Sequence, residues 1–269
     1  MKWKNKIYKH LTEYKINVLH VLQNGLFKNK EYGHILPIND GEKNYMCEKA
    51  ICDSLKIKRH ANWYHLNSSQ SMCINFFSPL FKNDDFSLLN SIIELIIGKR
   101  ISIIDAQYEY TPREHSTNFD FYCKDDNDST YYFEIKYTEN DISKAGGGDN
   151  PKQTFDNYYR ELIENGSYLK YCLSDDGWEV FMKKHYQAYR NIVMADLNKN
   201  NYCIFITMES NKGTREELQD ALKDMNEEAT YVKCIYWENI IDQVINLFDD
   251  LHNTLLSNYY RGFKKKYIA

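Results

Sequence analysis

The chain has no C-x-x-C pair, no apolar run long enough to cross a bilayer and no glycine-rich phosphate loop. Each absence removes a class of protein. Seven cysteines (Cys47, Cys52, Cys73, Cys123, Cys172, Cys203 and Cys234) are scattered and odd in number. That pattern fits reduced thiols in a cytosol better than a disulfide framework. Cys47, Cys52, His60, His65 and Cys73 lie near one another in sequence, but their spacings follow no zinc motif, and small buried residues are the plainer reading. The most apolar run, Leu88 to Ile97, is interrupted by Asn90, Ser91 and Glu94. It falls short of the roughly 20 residues that span a membrane. Met1 to Lys6 lacks the apolar core of a signal peptide, so a soluble, cytoplasmic protein is expected. Gly146-Gly147-Gly148 is not followed by Gly-Lys-Ser/Thr and reads as a mobile loop. His60 and His65 form no H-E-x-x-H helix, His115 has no catalytic partner in the sequence, and G-x-S-x-G and dinucleotide fingerprints are missing.

What is present is an ordinary globular balance. Of 269 residues, 43% are hydrophobic and 27% charged, with 34 Lys+Arg against 38 Asp+Glu and a net charge of -4. Such a chain can bury a sizeable core, and it carries no uniformly basic coat. The average conceals an asymmetry. Residues 1–60 hold 12 basic and 6 acidic side chains, residues 254–269 hold 4 basic and none acidic, and the middle carries 18 against 32. We therefore expect a helical, basic N-terminal extension over 1–60, packed on a main domain over 61–269. Val18-Leu19 and Val21-Leu22 would anchor the extension, with turns at Gly33, Pro37 and Asn39-Asp40-Gly41. The 23 tyrosines read at this level as a mark of an AT-rich genome as much as of function.

Downstream, Ser68 or Ser69 is placed to cap a short buried helix that stops before Pro79, and Phe86 to Ile97 gives an apolar helix ended by Gly98. Ile101–Tyr110, Asn118–Cys123 and Tyr131–Tyr137 read as three strands, the last two a hairpin about the acidic turn Lys124 to Asp128. A polar loop over Asn140–Asn157 follows. Then come a long helix (Trp178–Leu197), a buried strand (Tyr202–Met208) and a helix (Thr214–Met225) capped by Thr214 with Glu217. A last strand (Val232–Trp237) and a helix from about Asn239 complete the chain. The order predicts an α/β fold, a mixed sheet covered on both faces.

Chemistry concentrates between Glu109 and Lys136. Residues two apart on a strand share a face, so Glu134 and Lys136 point one way while Tyr131, Phe133, Ile135 and Tyr137 point the other. A charged pair on a core-like strand is costly unless something uses it. Phe119-Asp120-Phe121 repeats the pattern, with the carboxylate expected opposite both rings, and hairpin pairing would bring Asp120 beside Glu134. Two carboxylates and a lysine suit metal-dependent phosphodiester hydrolysis. Hard oxygen ligands hold Mg²⁺, the cation activates a bound water, and the lysine orients or deprotonates that water.

Asp120 followed by Glu134-Ile135-Lys136 resembles the D…(D/E)-x-K signature of the PD-(D/E)XK nuclease superfamily. Leu66-Asn67-Ser68-Ser69-Gln70, Asn75-Phe76-Phe77, Tyr108-Glu109-Tyr110 and Glu134 to Glu139 sharpen the likeness to a bacterial restriction-endonuclease-like branch, over roughly residues 60–210. Phe119 stands where that signature often has proline. The resemblance implies an αβββαβ core and a Mg²⁺-dependent deoxyribonuclease of restriction or defence type, with Mn²⁺ able to substitute. It implies Asp120 and Glu134 as metal ligands, the Ile135 carbonyl and Glu109 as further ones, and Lys136 as the catalytic lysine. It also implies a glutamine near the site, for which Gln187 is the candidate. Double-stranded DNA would be the substrate, and double-strand cutting favours a homodimer.

Lys183, Gln187, Arg190 and Asn191 form one polar helical stripe, from which Arg190 and Lys183 are candidate phosphate contacts, together with Arg160 beside Tyr158 and Tyr159. The basic ends (Lys2, Trp3, Lys4, Lys6, Lys9, Lys28 and Lys30; Arg261, Lys264, Lys265 and Lys266) are candidate DNA surfaces. Plainer readings stand beside each: a solvated helix face, solvated basic ends, a solvated strand end for Glu109, and a structural ion-pair cluster for Asp120, Glu134 and Lys136. On those readings the chain is a non-catalytic DNA-binding or protein-assembly module that kept the fold.

Overall fold

A computed structural model describes residues 2–47, 57–81, 85–112, 117–139, 150–166, 168–195, 200–223, 225 and 230–269. Cys52, His115 and the triple glycine lie outside the described residues. Five strands form one sheet in chain order: β3 (Ile103–Tyr110), β4 (Phe119–Asp125), β5 (Thr130–Ile135), β6 (Tyr202–Thr207) and β7 (Val232–Tyr236). β3, β4 and β5 are antiparallel neighbours, whereas β5, β6 and β7 run parallel. Every residue of β5 is buried, as expected of a central strand covered on both faces. This is the mixed, helix-flanked α/β sheet that the element order predicts.

Side-chain alternation divides the core in two. On one face Phe121, Phe133, Ile135, Ile204 and Ile206 pack against Phe76 and Phe77 of α2 (Ser69–Phe77), and against Trp237 of α8 (Trp237–Asp250) and Phe263 of α9 (Thr254–Tyr267). α1 (Lys2–Asn17) joins this layer through Ile7 and Leu11 and packs along α9. On the other face Tyr132, Cys203 and Phe205 meet Phe155 of α4 (Pro151–Tyr158), Ala188 and Ile192 of α6 (Tyr186–Ala195) and Leu218 of α7 (Lys212–Leu222). α3 (Ser87–Ile97) ends in Gly98 at φ 83, the left-handed stop that glycine allows. α5 (Arg160–Asn165) follows α4 directly. No described helix is long and apolar enough to cross a membrane.

Several expectations change. Beyond α1 the extension forms a small hairpin, β1 (Gly25–Phe27) with β2 (Lys30–Tyr32), and a 3-10 turn at Ile38–Asn44 rather than more helix. Val21 is buried, but Leu22 is 78% exposed and anchors nothing. The helix expected over Trp178–Leu197 is broken by a π-helical stretch at Val180–Lys184, and α6 starts afresh at Tyr186. α7 begins at Lys212, so Thr214 lies inside its first turn instead of capping it. Cys73, Cys123, Cys172, Cys203 and Cys234 are free thiols, whereas Cys47 is disulfide-bonded.

The tyrosines of α9 have a structural use that composition does not disclose. The last carbonyls of a helix lack intrahelical donors. Here the Tyr259 and Tyr260 hydroxyls donate to the carbonyls of Asn75 and Phe76 at the end of α2, at 2.7 and 2.8 Å. Asn75 is fully buried; its Nδ2 donates to the Asn44 carbonyl and to the Tyr267 hydroxyl, and its Oδ1 accepts from the Met46 amide. One side chain thus joins the N-terminal segment, α2 and α9. Tyr267→Phe is expected to cost about 1–2 kcal/mol by unpairing a buried amide proton. A lowered urea midpoint at unchanged slope would register it.

Candidate active site

Register explains why the acidic residues meet. The β4–β5 ladder runs from Lys124↔Thr130 to Phe121↔Phe133 and then stops. The next opposed pair would be Asp120 and Glu134. At that point the strands part, and the Asp120 Oδ2 accepts the Ile135 amide at 2.6 Å in place of a backbone carbonyl. A side chain has replaced a rung of the ladder at one end of the sheet.

The neighbouring pair of strands turns over at the same level. Tyr108 pairs with Phe121 and both belong to one core layer; Tyr110 pairs with Phe119 and both belong to the other. Residues two apart on a regular strand share a face, so the two strands turn over across Glu109 and Asp120. Glu109 has φ 51, a left-handed conformation that non-glycine residues seldom adopt. Phe119 and Phe121 therefore face opposite layers, which corrects the expectation that Asp120 points away from both rings.

Glu134 is 4% exposed and accepts from three side chains. Its Oε1 accepts from Lys136 Nζ at 2.7 Å and from Gln187 Nε2 at 2.8 Å, and its Oε2 accepts from Asn191 Nδ2 at 2.9 Å. α6 supplies both amides from one face, four residues apart. Glu109 is held by Gln70 Nε2 at 2.8 Å and His60 Nε2 at 3.3 Å. Gln70 also bridges the Lys58 carbonyl and the His60 amide. It is presented by α2, whose N-cap Ser68 accepts from Ser71. The Ser-Ser-Gln segment is thus a support for Glu109.

The charges are coupled. Burial, then repulsion from Glu134, pushes the Asp120 carboxyl well above the usual carboxylate range; Lys136 and the Ile135 amide offset this only in part, and Glu109 adds to it. Burial opposes charge on Lys136, but Glu134, Glu139 and Asp120 outweigh it and hold the ammonium above its ordinary pKa. Cys73, whose thiol donates to the Asp120 carbonyl, is raised by burial and by all three carboxylates.

Among the described residues no group of three or more His, Cys, Asp and Glu is close enough to hold a metal ion. Mg²⁺ does not require one, because it keeps several waters and binds through one or two carboxylates plus phosphate oxygens. The donor set fits that ion. Asp120 and Glu134 offer hard carboxylate oxygens on either side of a parted ladder, and Asp120 sits where a negative charge lacks sufficient compensation.

Of the residues singled out in the sequence, Asp120, Glu134, Ile135, Lys136 and Gln187 come together, and Glu109 lies in the same electrostatic cluster. Arg190 adjoins them through Asn191, at 3.4 Å, with its guanidinium over Tyr186. Lys183 does not; it precedes the break before α6 and pairs with Glu179 at 2.7 Å. Arg160 pairs with Asp156, four residues back in α4. The C-terminal basic cluster is no open cationic face. Arg261 pairs with Asp249, Lys264 pairs with Asp242, and Lys266 is fully buried with its amine on Asn44. Asn191 and Gln70 escaped sequence reasoning as site residues. Asn191 carries a signal, its four-residue spacing from Gln187 on the same polar stripe, but the stripe alone assigns it no role.

A family described as Restriction Endonuclease associating with ARP matches residues 3–268. No curated protein and no solved structure matches the chain.

Proposed function

The chain belongs to the restriction-endonuclease family described as associating with ARP, and from that membership and the site we propose a metal-dependent endonuclease of PD-(D/E)XK type acting on double-stranded DNA. One observation carries the reading. A buried Glu134–Lys136 pair stands on the central strand at the level where Asp120 replaces a rung of the ladder. An ion pair of purely structural use has no need of a second, uncompensated carboxylate opposite it.

Asp120 and Glu134 would hold the divalent cation, with the Ile135 carbonyl as a third oxygen and Glu109 beside them. When bound, the cation lowers the pKa of a water and offsets charge on the phosphate. Glu134, Glu139 and Asp120 favour the ammonium form of Lys136, which suits it to orient the attacking water and to neutralise charge on the phosphoryl oxygens. Gln187 and Asn191 fix the plane of the Glu134 carboxylate, and the Ile135 amide fixes Asp120.

The test is plasmid DNA with Mg²⁺ or Mn²⁺ and an EDTA control. Conversion of supercoiled DNA to open or linear forms in the metal lanes alone is expected. DNA binding without cleavage under any of these conditions would favour the non-catalytic module. Asn191→Ala removes one donor to Glu134 and is expected to slow cleavage about 10–100-fold, as loss of outer partners does in metal sites. DNA affinity should stay within about twofold; a parallel loss of affinity would make Asn191 a residue of the fold instead.

A further inference from the structure

A second polar recess adjoins the proposed site and has no part in the hydrolysis as derived. It is a cleft of about 350 Å³, bounded by His60, His65, Asn67, Ser69, Thr138 and Glu139, among other residues. It shares a wall with the carboxylate cluster, because His60 pairs with Glu109. It also lies along the strand exit that carries Lys136, since Thr138 and Glu139 follow that residue by two and three positions.

Two of its bounding side chains have unmatched polar atoms. His65 is 7% exposed, and its Nε2 is buried with no hydrogen-bond partner among the described residues. Asn67 donates through Nδ2 to the Thr138 hydroxyl at 2.9 Å, which leaves its buried Oδ1 without a partner among the described residues. Buried polar atoms are rarely left unpaired in a native fold, and a bound water, ion or ligand is the usual partner where the chain supplies none. The chemistry of the wall limits the visitor. Burial lowers the His65 pKa to about 4, so the imidazole is neutral, and the wall carries both the Lys4 ammonium and the Glu139 carboxylate, which together favour neither sign of charge. A flat, neutral heterocycle with donors and acceptors on one edge is complementary to an amide oxygen and a neutral imidazole.

We propose that this cleft receives a single extrahelical nucleobase of the bound DNA, held by His65 and Asn67 next to the phosphate at Lys136. The proposal deepens the nuclease reading and rests on it for the identity of the ligand. Placing a base there requires unstacking, which costs least for a base that is already unpaired.

Binding is measured in EDTA, by fluorescence anisotropy, to a duplex with one unpaired 2-aminopurine and to a fully paired duplex of the same flanks. The bulged duplex should bind about tenfold more tightly, with a change in 2-aminopurine emission. His65→Phe keeps ring volume against Phe27 and Tyr64 and removes the nitrogen; Ala61→Trp fills the cleft from an exposed position on its wall. Either should equalise the two affinities and leave that for the paired duplex within about twofold, whereas Lys136→Ala should keep the preference. Equal binding of both duplexes by the unaltered protein, or a preference that survives both cleft variants, would overturn the proposal. Preference for the bulge in a protein that never cuts plasmid would sink the nuclease reading and leave the cleft assigned.

Discussion

Lys136→Ala is expected to lower the rate of duplex DNA cleavage by about 10²–10⁴-fold, with the chain still folded. The size follows from what one side chain does in the proposed reaction. A fixed ammonium that orients the nucleophile and meets developing charge in a water-poor site contributes about 10²–10⁴-fold. Survival of the fold is less obvious, because stripping one partner from a buried ion pair commonly costs about 3–5 kcal/mol. Here Glu134 keeps the amides of Gln187 and Asn191, so its charge is not abandoned. Glu134→Ala should be as severe, and the double variant no worse than either, since residues that act as a unit lose their effect together. In the metal-free protein the carboxylates hold the Lys136 pKa above the ordinary lysine value, so its pairing with Glu134 is lost only as pH rises past that. Full activity in either purified variant ends the assignment.

Much of this site was legible because the sheet writes itself in alternation. Glu134 and Lys136 flank Ile135 on a strand whose other positions are core, and only a site or a costly accident puts charge there. Ser68 and Gly98 were readable as caps because each satisfies a local backbone need. What failed depends on partners remote in sequence or on a change of helical phase. The stripe through Lys183 and Gln187 assumes one continuous α-helix, and the π-helical stretch at Val180–Lys184 rotates the two apart. The C-terminal cations looked free because Asp242 and Asp249 lie on the preceding helix. Thr214 looks like a helix cap, but it lies inside the first turn and its hydroxyl donates to the Glu139 carbonyl, beside the strand exit. Three-residue strands such as β1 and β2 are too short for any period to show.

Asp120→Asn is expected to abolish cleavage and, in metal-free buffer at neutral pH, to raise the melting temperature. The sign follows from the shift on Asp120. Burial and the charge of Glu134 raise its folded pKa above the unfolded value, so ionisation at neutral pH penalises the folded state, and the penalty fades as pH falls through the raised pKa. Asparagine keeps an oxygen for the Ile135 amide and removes the charge. For a chain of this length a gain of about 1 kcal/mol moves the melting temperature by roughly 2–4 °C. Acidification should close the gap from the other side, as the unaltered protein sheds its penalty and the variant, with nothing to titrate there, does not. Mg²⁺ should also close it, because an ion bound only by the folded state adds stability by mass action and the variant has lost a ligand. A metal-free variant that melts below the unaltered protein at neutral pH would mean that Lys136 and the Ile135 amide already compensate Asp120. The carboxylate would then be one half of a finished ion-pair cluster, with no cation to wait for.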